Sequence, residues 1–139
     1  MKMKLGEIRG RLEGLLKVAE KTFPAKVNYA VAKNLKMLES EFKELEEQRI
    51  KICESYADKD KDGKAKTKTV KTNNGETGMY VFSGDAQEQC NKEYADLLGE
   101  EIDLDIHTVD VAELDKCDES ERFNVPTATD YMAMEFMFK

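Results

Sequence analysis

The sequence predicts a mostly helical α+β fold: a long antiparallel helical hairpin, a small antiparallel β element and two short packing helices. Three observations carry this. Lys26 to Ala57 is a stretch of 32 residues without glycine or proline. Within it Val31, Leu35, Leu38, Phe42, Leu45, Ile52 and Tyr56 recur at spacings of three and four, with Arg49 in the one missing seat, so the stretch reads as an amphipathic helix with a coiled-coil-like seam. The run Lys64 to Thr72, then Asn73-Asn74-Gly75-Glu76-Thr77-Gly78, then Met79 to Phe82 has the outline of a hairpin. Two further segments, Ala86 to Leu98 and Tyr131 to Phe138, carry short apolar patterns suited to packing helices.

Taken in order, Leu5, Ile8, Leu12, Leu15 and Ala19 repeat the three/four spacing, widened by Leu16 and Val18, and predict a first helix from Leu5 to Phe23. Gly6, Gly10 and Gly14 lie one turn apart inside it, each costing about 1 kcal/mol of helix propensity relative to alanine. Arg9, Arg11 and Glu13 between them exclude a membrane dimerisation face, so close packing against another helix is the expected use. Phe23-Pro24 ends this helix, because proline turns its predecessor away from helical angles, and Pro24 opens the next. At 1.5 Å per residue the second helix spans about 48 Å, against a diameter of about 35 to 40 Å for a compact chain of this size. It is expected to overshoot its own domain, leaving Leu45 to Tyr56 to be covered by Tyr94 and Leu98, by the C-terminal segment or by a second molecule.

Asp58-Lys59-Asp60-Lys61-Asp62-Gly63 opens like a calcium-binding EF-hand loop. The twelfth position, however, is Thr69 where a bidentate carboxylate is needed, the eighth is Ala65, and lysines intersperse the carboxylates. A helix-terminating turn with Gly63 in the left-handed region is the expectation, with no metal site. The hairpin's first strand is polar on both faces, an exposed edge guarded by lysines or a loop. Ser83-Gly84-Asp85 caps a third helix that Gly99 stops. Ile102 to His107 alternates strictly, predicting a strand with Ile102, Leu104 and Ile106 inward and Asp103, Asp105 and His107 outward; the phase change at Val109 and Val111 marks its end near Thr108. His107 is expected to face solvent, paired with carboxylates. After a polar stretch from Ala112 to Arg122, Thr127 and Asp130 form a helix start. Seven of the eight residues from Tyr131 to Phe138 are hydrophobic, which predicts a short helix buried nearly all round.

With 139 residues the chain is expected to be one domain, with 1–57 the helical hairpin, 58–84 a turn and β-hairpin or loop, and 85–139 a helix, strand and C-terminal helix. Its net charge of -7 is uneven: residues 1–51 sum to +4 and residues 52–139 to -11. A basic half and an acidic half attract one another within or between copies and disfavour general nucleic-acid binding. A mean hydropathy of -0.65 and charges spread through the N-terminal residues predict no membrane span and a cytoplasmic home. Cys53, Cys90 and Cys117, an odd number at wide separations, read as reduced thiols. With one histidine, no tryptophan and no catalytic or phosphate-binding motif, no enzymatic activity and no cofactor is expected.

The segments Phe23 to Asn34, Leu45 to Arg49, Tyr56 to Gly63, Asn91 to Leu98, Ile102 to His107 and Met132 to Met137 resemble a family of small phage and prophage proteins of Gram-positive bacteria, a domain of unknown function. Lys64 to Gly78 and Lys116 to Asn124 match it least. The resemblance implies a phage or prophage product acting inside a bacterial cell. Together with the seam and the charge asymmetry, it leads to the expectation of a non-enzymatic accessory protein that binds another protein or itself, as a homodimer or higher oligomer. Inhibition of a host defence system, particle assembly, and sequestration of a nucleotide signal by Lys64 to Lys71 beside Tyr80 and Phe82 are the three alternatives. The candidate partner-binding residues are Leu45, Arg49, Ile52, Tyr56, Lys64, Lys66 and Lys68.

Overall fold

The computed structural model describes all 139 residues. The elements run β1 (Lys2–Lys4), a 3-10 turn (Leu5–Glu7), α1 (Ile8–Ala19), α2 (Ala25–Tyr56), β2 (Thr67–Thr72), β3 (Gly75–Tyr80), α3 (Ala86–Leu98), β4 (Glu101–Asp103), a 3-10 helix (Val111–Glu119), α4 (Ala128–Met134) and a closing 3-10 turn (Glu135–Met137). The fold is α+β and mostly helical, with two separate two-stranded antiparallel sheets, β1-β4 and β2-β3. Residues 1–43 and 101–139 form one compact unit and residues 44–100 another, the division falling inside α2.

In the first unit, Ile8, Leu12, Leu15 and Val18 of α1 and Val27, Ala30, Val31 and Leu38 of α2 meet Leu104, Val109, Leu114, Met134 and Met137 in one apolar cluster. The seam of α2 is thus filled over its first half, as its periodicity predicts. Pro24 precedes the first turn of α2 and its carbonyl accepts the Val27 and Asn28 amides. Leu16 is 43% exposed, so the stripe of α1 is narrower than the sequence suggests. Of the glycines, Gly14 explains itself: a Cβ there would stand 3.2 Å from the Cβ of Ala133, so its bare backbone admits α4.

Three findings differ from the sequence expectations. The strand at Ile102 stops at Asp103; it pairs with β1, in register Met3↔Ile102, a partner too short to leave a periodic signal. Beyond it Leu104 stays buried, and Val109 is reached by the chain's last residues, donating to Met137 O at 2.9 Å and accepting from Lys139 N. The C-terminal segment is amphipathic rather than wholly buried: Met134 and Met137 are enclosed, whereas Met132 is 69% exposed. His107 is not paired with carboxylates; its ring stands edge-on to Tyr29, centroids 5.1 Å apart.

Two polar clamps close the first unit. Asn34 of α2, fully buried, donates through Nδ2 to His107 O at 2.9 Å and accepts the His107 amide on Oδ1 at 2.7 Å. Asp130 accepts Lys21 Nζ on both oxygens, at 2.9 and 2.7 Å, and completes a reciprocal capping box with Thr127. Burial alone would raise the Asp130 carboxyl, but the bonds from Lys21 and Thr127 outweigh it and hold the pKa below its ordinary value. A carboxyl whose pKa is lowered on folding adds stability that is complete above the ordinary carboxylate range and is lost as pH falls through the folded value. Asp130→Ala is therefore expected to lose about 3 kcal/mol at neutral pH. Asp130→Asn should flatten the acid limb of the stability profile, both read by denaturant unfolding across pH.

Candidate functional site

The second unit begins where α2 ends. Ala57 is buried, and Asp58 starts a backbone weave: the Asp58 amide donates to Val81 O at 2.8 Å, Lys66 to Asp58 O at 2.7 Å, and Val81 to Lys66 O at 2.9 Å. The three bonds root the hairpin on the end of the helix. Between Asp58 and Lys66 the acidic run is a tight turn, with Gly63 at φ +78, the left-handed geometry its position predicts. Asp60 Oδ1 accepts the Asp62 and Lys64 amides at 2.9 and 3.0 Å, and Asp58 Oδ2 accepts the Ser83 hydroxyl at 2.6 Å. These carboxylate oxygens are committed to shaping the chain. From there β2 and β3 pair in full register, Thr67↔Tyr80 to Thr72↔Gly75, with no third strand.

α3 packs beside the end of α2. Cys90 is buried and its Sγ lies 3.8 Å from that of Cys53. Burial first, then the contact with Cys53, pushes the Cys90 thiol up to about 11. One turn further, the Glu93 carboxylate beside Tyr56 raises the phenol above its ordinary value. At Cys53 and Tyr56 the distal half of α2 thus faces α3, while Ile52 and Tyr56 stay half-buried.

Between the end of α2, the hairpin and the start of α3 runs a groove of about 590 Å³. Cys53, Val81, Phe82 and Cys90 are its more buried lining, while Ile50 and Met79 stay 38% and 46% exposed beside it. Arg49 and Lys68 supply positive charge, Gln87 and Asn91 neutral hydrogen-bonding groups, and Tyr80 an aromatic face. Arg49 is held by Glu46 one turn back, Nη2 to Oε2 at 3.0 Å. That bond, opposed by desolvation, raises the guanidinium pKa further above its ordinary value. Surface mixing exposed apolar groups with arginine and aromatic side chains is the composition of protein-binding patches.

Of the seven candidate residues, only Arg49 and Lys68 meet in this groove. Leu45 is 5% exposed, and a partner cannot reach it in the folded chain. Ile52 and Tyr56 are half-buried, and Lys64 and Lys66 are exposed. Sequence reasoning missed Ile50 and Met79. Ile50 lies off the seam and Met79 in a strand with little alternation, so only their large apolar side chains on otherwise polar surroundings could have signalled them. A second groove, of about 490 Å³, lies in the first unit between Tyr29, His107 and Glu113, where Lys26 Nζ stands 3.6 Å from Glu113. Nowhere do three or more histidine, cysteine or acidic side chains cluster closely enough to hold a metal ion. No helix is long and apolar enough to cross a membrane.

Fold and groove together define a mostly helical α+β protein with a basic, partly apolar groove on its contiguous unit. Compared with family models, with curated proteins and with solved structures, the chain matches none.

Because a calcium ion would have to displace the amides on Asp60 and the hydroxyl on Asp58, the unfolding midpoint is expected to be the same in millimolar calcium and in chelator. A rise in the calcium sample would overturn that reading.

Proposed function

We propose that this protein is a non-enzymatic accessory protein that acts by binding another protein, in the phage or prophage setting that the sequence resemblance implies, and that its role there is to inhibit a host defence component. The groove of the second unit is the observation that carries the binding reading. Ile50 and Met79 offer apolar anchors, and Arg49 and Lys68 bring positive charge beside them. The occupant that fits is an acidic segment of a partner with one or two apolar side chains. Desolvated anchors carry most of the affinity at such surfaces, while rim lysines set the rate and salt dependence of association. The unpaired edges of β2 and β3 add backbone groups with which an extended segment can bond.

A second reading has its own support. Arg49 and Lys68 beside Tyr80 and Phe82 are the combination that holds a nucleotide, charge for phosphate and a ring for the base. Calorimetry with cyclic and linear nucleotides separates the two.

Capture from phage-infected cells, with the wild type and with an Ile50→Glu, Lys68→Glu variant, tests the first. Both side chains are exposed, so the variant is expected to fold. Host defence components are expected with the wild type, and the variant should bind the recovered partner at least about tenfold more weakly, the loss of one anchor. Recovery of phage structural proteins instead assigns the protein to particle assembly, and equal capture by the variant removes the groove from the account. The acidic and basic segments also lead us to expect a homodimer or higher oligomer at low salt, weakening as salt is added. Size-exclusion chromatography with light scattering reads that directly, and a monomer at every ionic strength would refute it.

A further inference from the structure

The two cysteines of the groove are used by nothing described so far. Cys53 and Cys90 lie 37 positions apart in sequence, yet α2 and α3 bring their sulfur atoms to 3.8 Å. Cys53 is partly exposed, Cys90 is enclosed behind it, and both are free thiols. Disulfide closure needs about 2.05 Å between sulfurs, a further approach that side-chain rotation about χ1 can supply. Cys117 belongs to the first unit and is buried there.

We propose that Cys53 and Cys90 are a site of reversible oxidation by hydroperoxides, closing to an intrachain disulfide that ties α2 to α3 in the wall of the groove. The accessible Cys53 thiolate attacks one peroxide oxygen; the O–O bond breaks, Cys53 becomes a sulfenic acid, and the departing oxygen leaves as water once protonated. Cys90 then attacks the Cys53 sulfur, the S–O bond breaks, and the hydroxyl leaves as a second water with the Cys90 proton. Two thiols and one hydrogen peroxide give one disulfide and two waters, with the two electrons passing from sulfur to peroxide. The order of the steps follows from access, since Cys53 is the thiol that solvent reaches, and burial disfavours the Cys90 thiolate until a sulfenic acid stands beside it. A cytoplasmic thiol pool would return the pair to the reduced form.

The test uses the reduced full-length protein, treated with hydrogen peroxide, alkylated under denaturing conditions and mapped by mass spectrometry. The expected product is a Cys53–Cys90 cross-linked peptide, lighter by two hydrogens, with Cys117 alkylated and the protein monomeric on a non-reducing gel. Dithiothreitol should restore three alkylatable thiols. The oxidised form should melt several degrees higher, because the bridge closes a long loop. In Cys90→Ser, Cys53 should stop at a sulfenic acid that dimedone traps. Three alkylatable thiols after peroxide, a bridge that includes Cys117, a bridge between two chains, or Cys53 driven to sulfinic acid with Cys90 unchanged would each overturn the proposal.

Discussion

The first unit depends on one side chain. Asn34 lies on the buried face of α2 among Val27, Ala30, Val31 and Leu38, where leucine would bury more apolar surface. Its amide instead takes both backbone groups of His107, at 2.9 and 2.7 Å. An unpaired peptide group in that position costs about 1 to 3 kcal/mol, and leucine would orphan two. That exceeds what leucine would gain in apolar contact, about 2 kcal/mol, so the polar residue prevails. The consequence is positional. Once His107 is fixed on α2, Leu104 and Val109 on either side are set into the core, and Val109 in turn anchors the chain's last residues through Met137 and Lys139.

The same logic recurs at the α1–α2 connector. Lys21 reaches the buried Asp130, and Thr22 exchanges two bonds with Asn124, so the link between the helices is gripped by the segment that leads into α4. α4 then lies against α1 at Gly14, and Arg11 stands 5.3 Å over the ring of Phe136. The apolar faces supply the driving force for these contacts. The paired polar groups select one arrangement, because any slip would leave a buried amide or carboxylate without its partner.

What was legible in the sequence was whatever repeats locally. The period of α2, the left-handed Gly63 and the Thr127/Asp130 box are each written within a few residues, and each stands in the structure as predicted; the hairpin stands too, with a tighter turn at Asn73-Asn74 and Glu76 to Gly78 drawn into β3. What stayed hidden was set by distant partners. Nothing near Asn34 announces His107, nothing near Lys21 announces Asp130, and β1 is too short for its pairing with β4 to show as alternation. The groove was half legible. Arg49 could be singled out because it interrupts a seam, and Lys68 because it sits in a basic run. Ile50 and Met79 gave no periodic signal, and the meeting of Cys53 with Cys90 required the packing of α3.

The division of the chain also fixes an order of assembly during synthesis. The unit formed by residues 44–100 is continuous, and everything it needs has been made once Glu100 has been added. The other unit draws on both ends of the sequence, and Asn34 waits for a partner 73 positions later. Contacts so far apart close slowly, and a nascent chain folds what is complete before what is not. Until His107 and the residues after it emerge, the apolar faces of α1 and of the first half of α2 have only each other for cover. In that interval the burden of solubility falls on their charged faces, where Lys17, Lys33, Lys36 and Glu39 stand exposed.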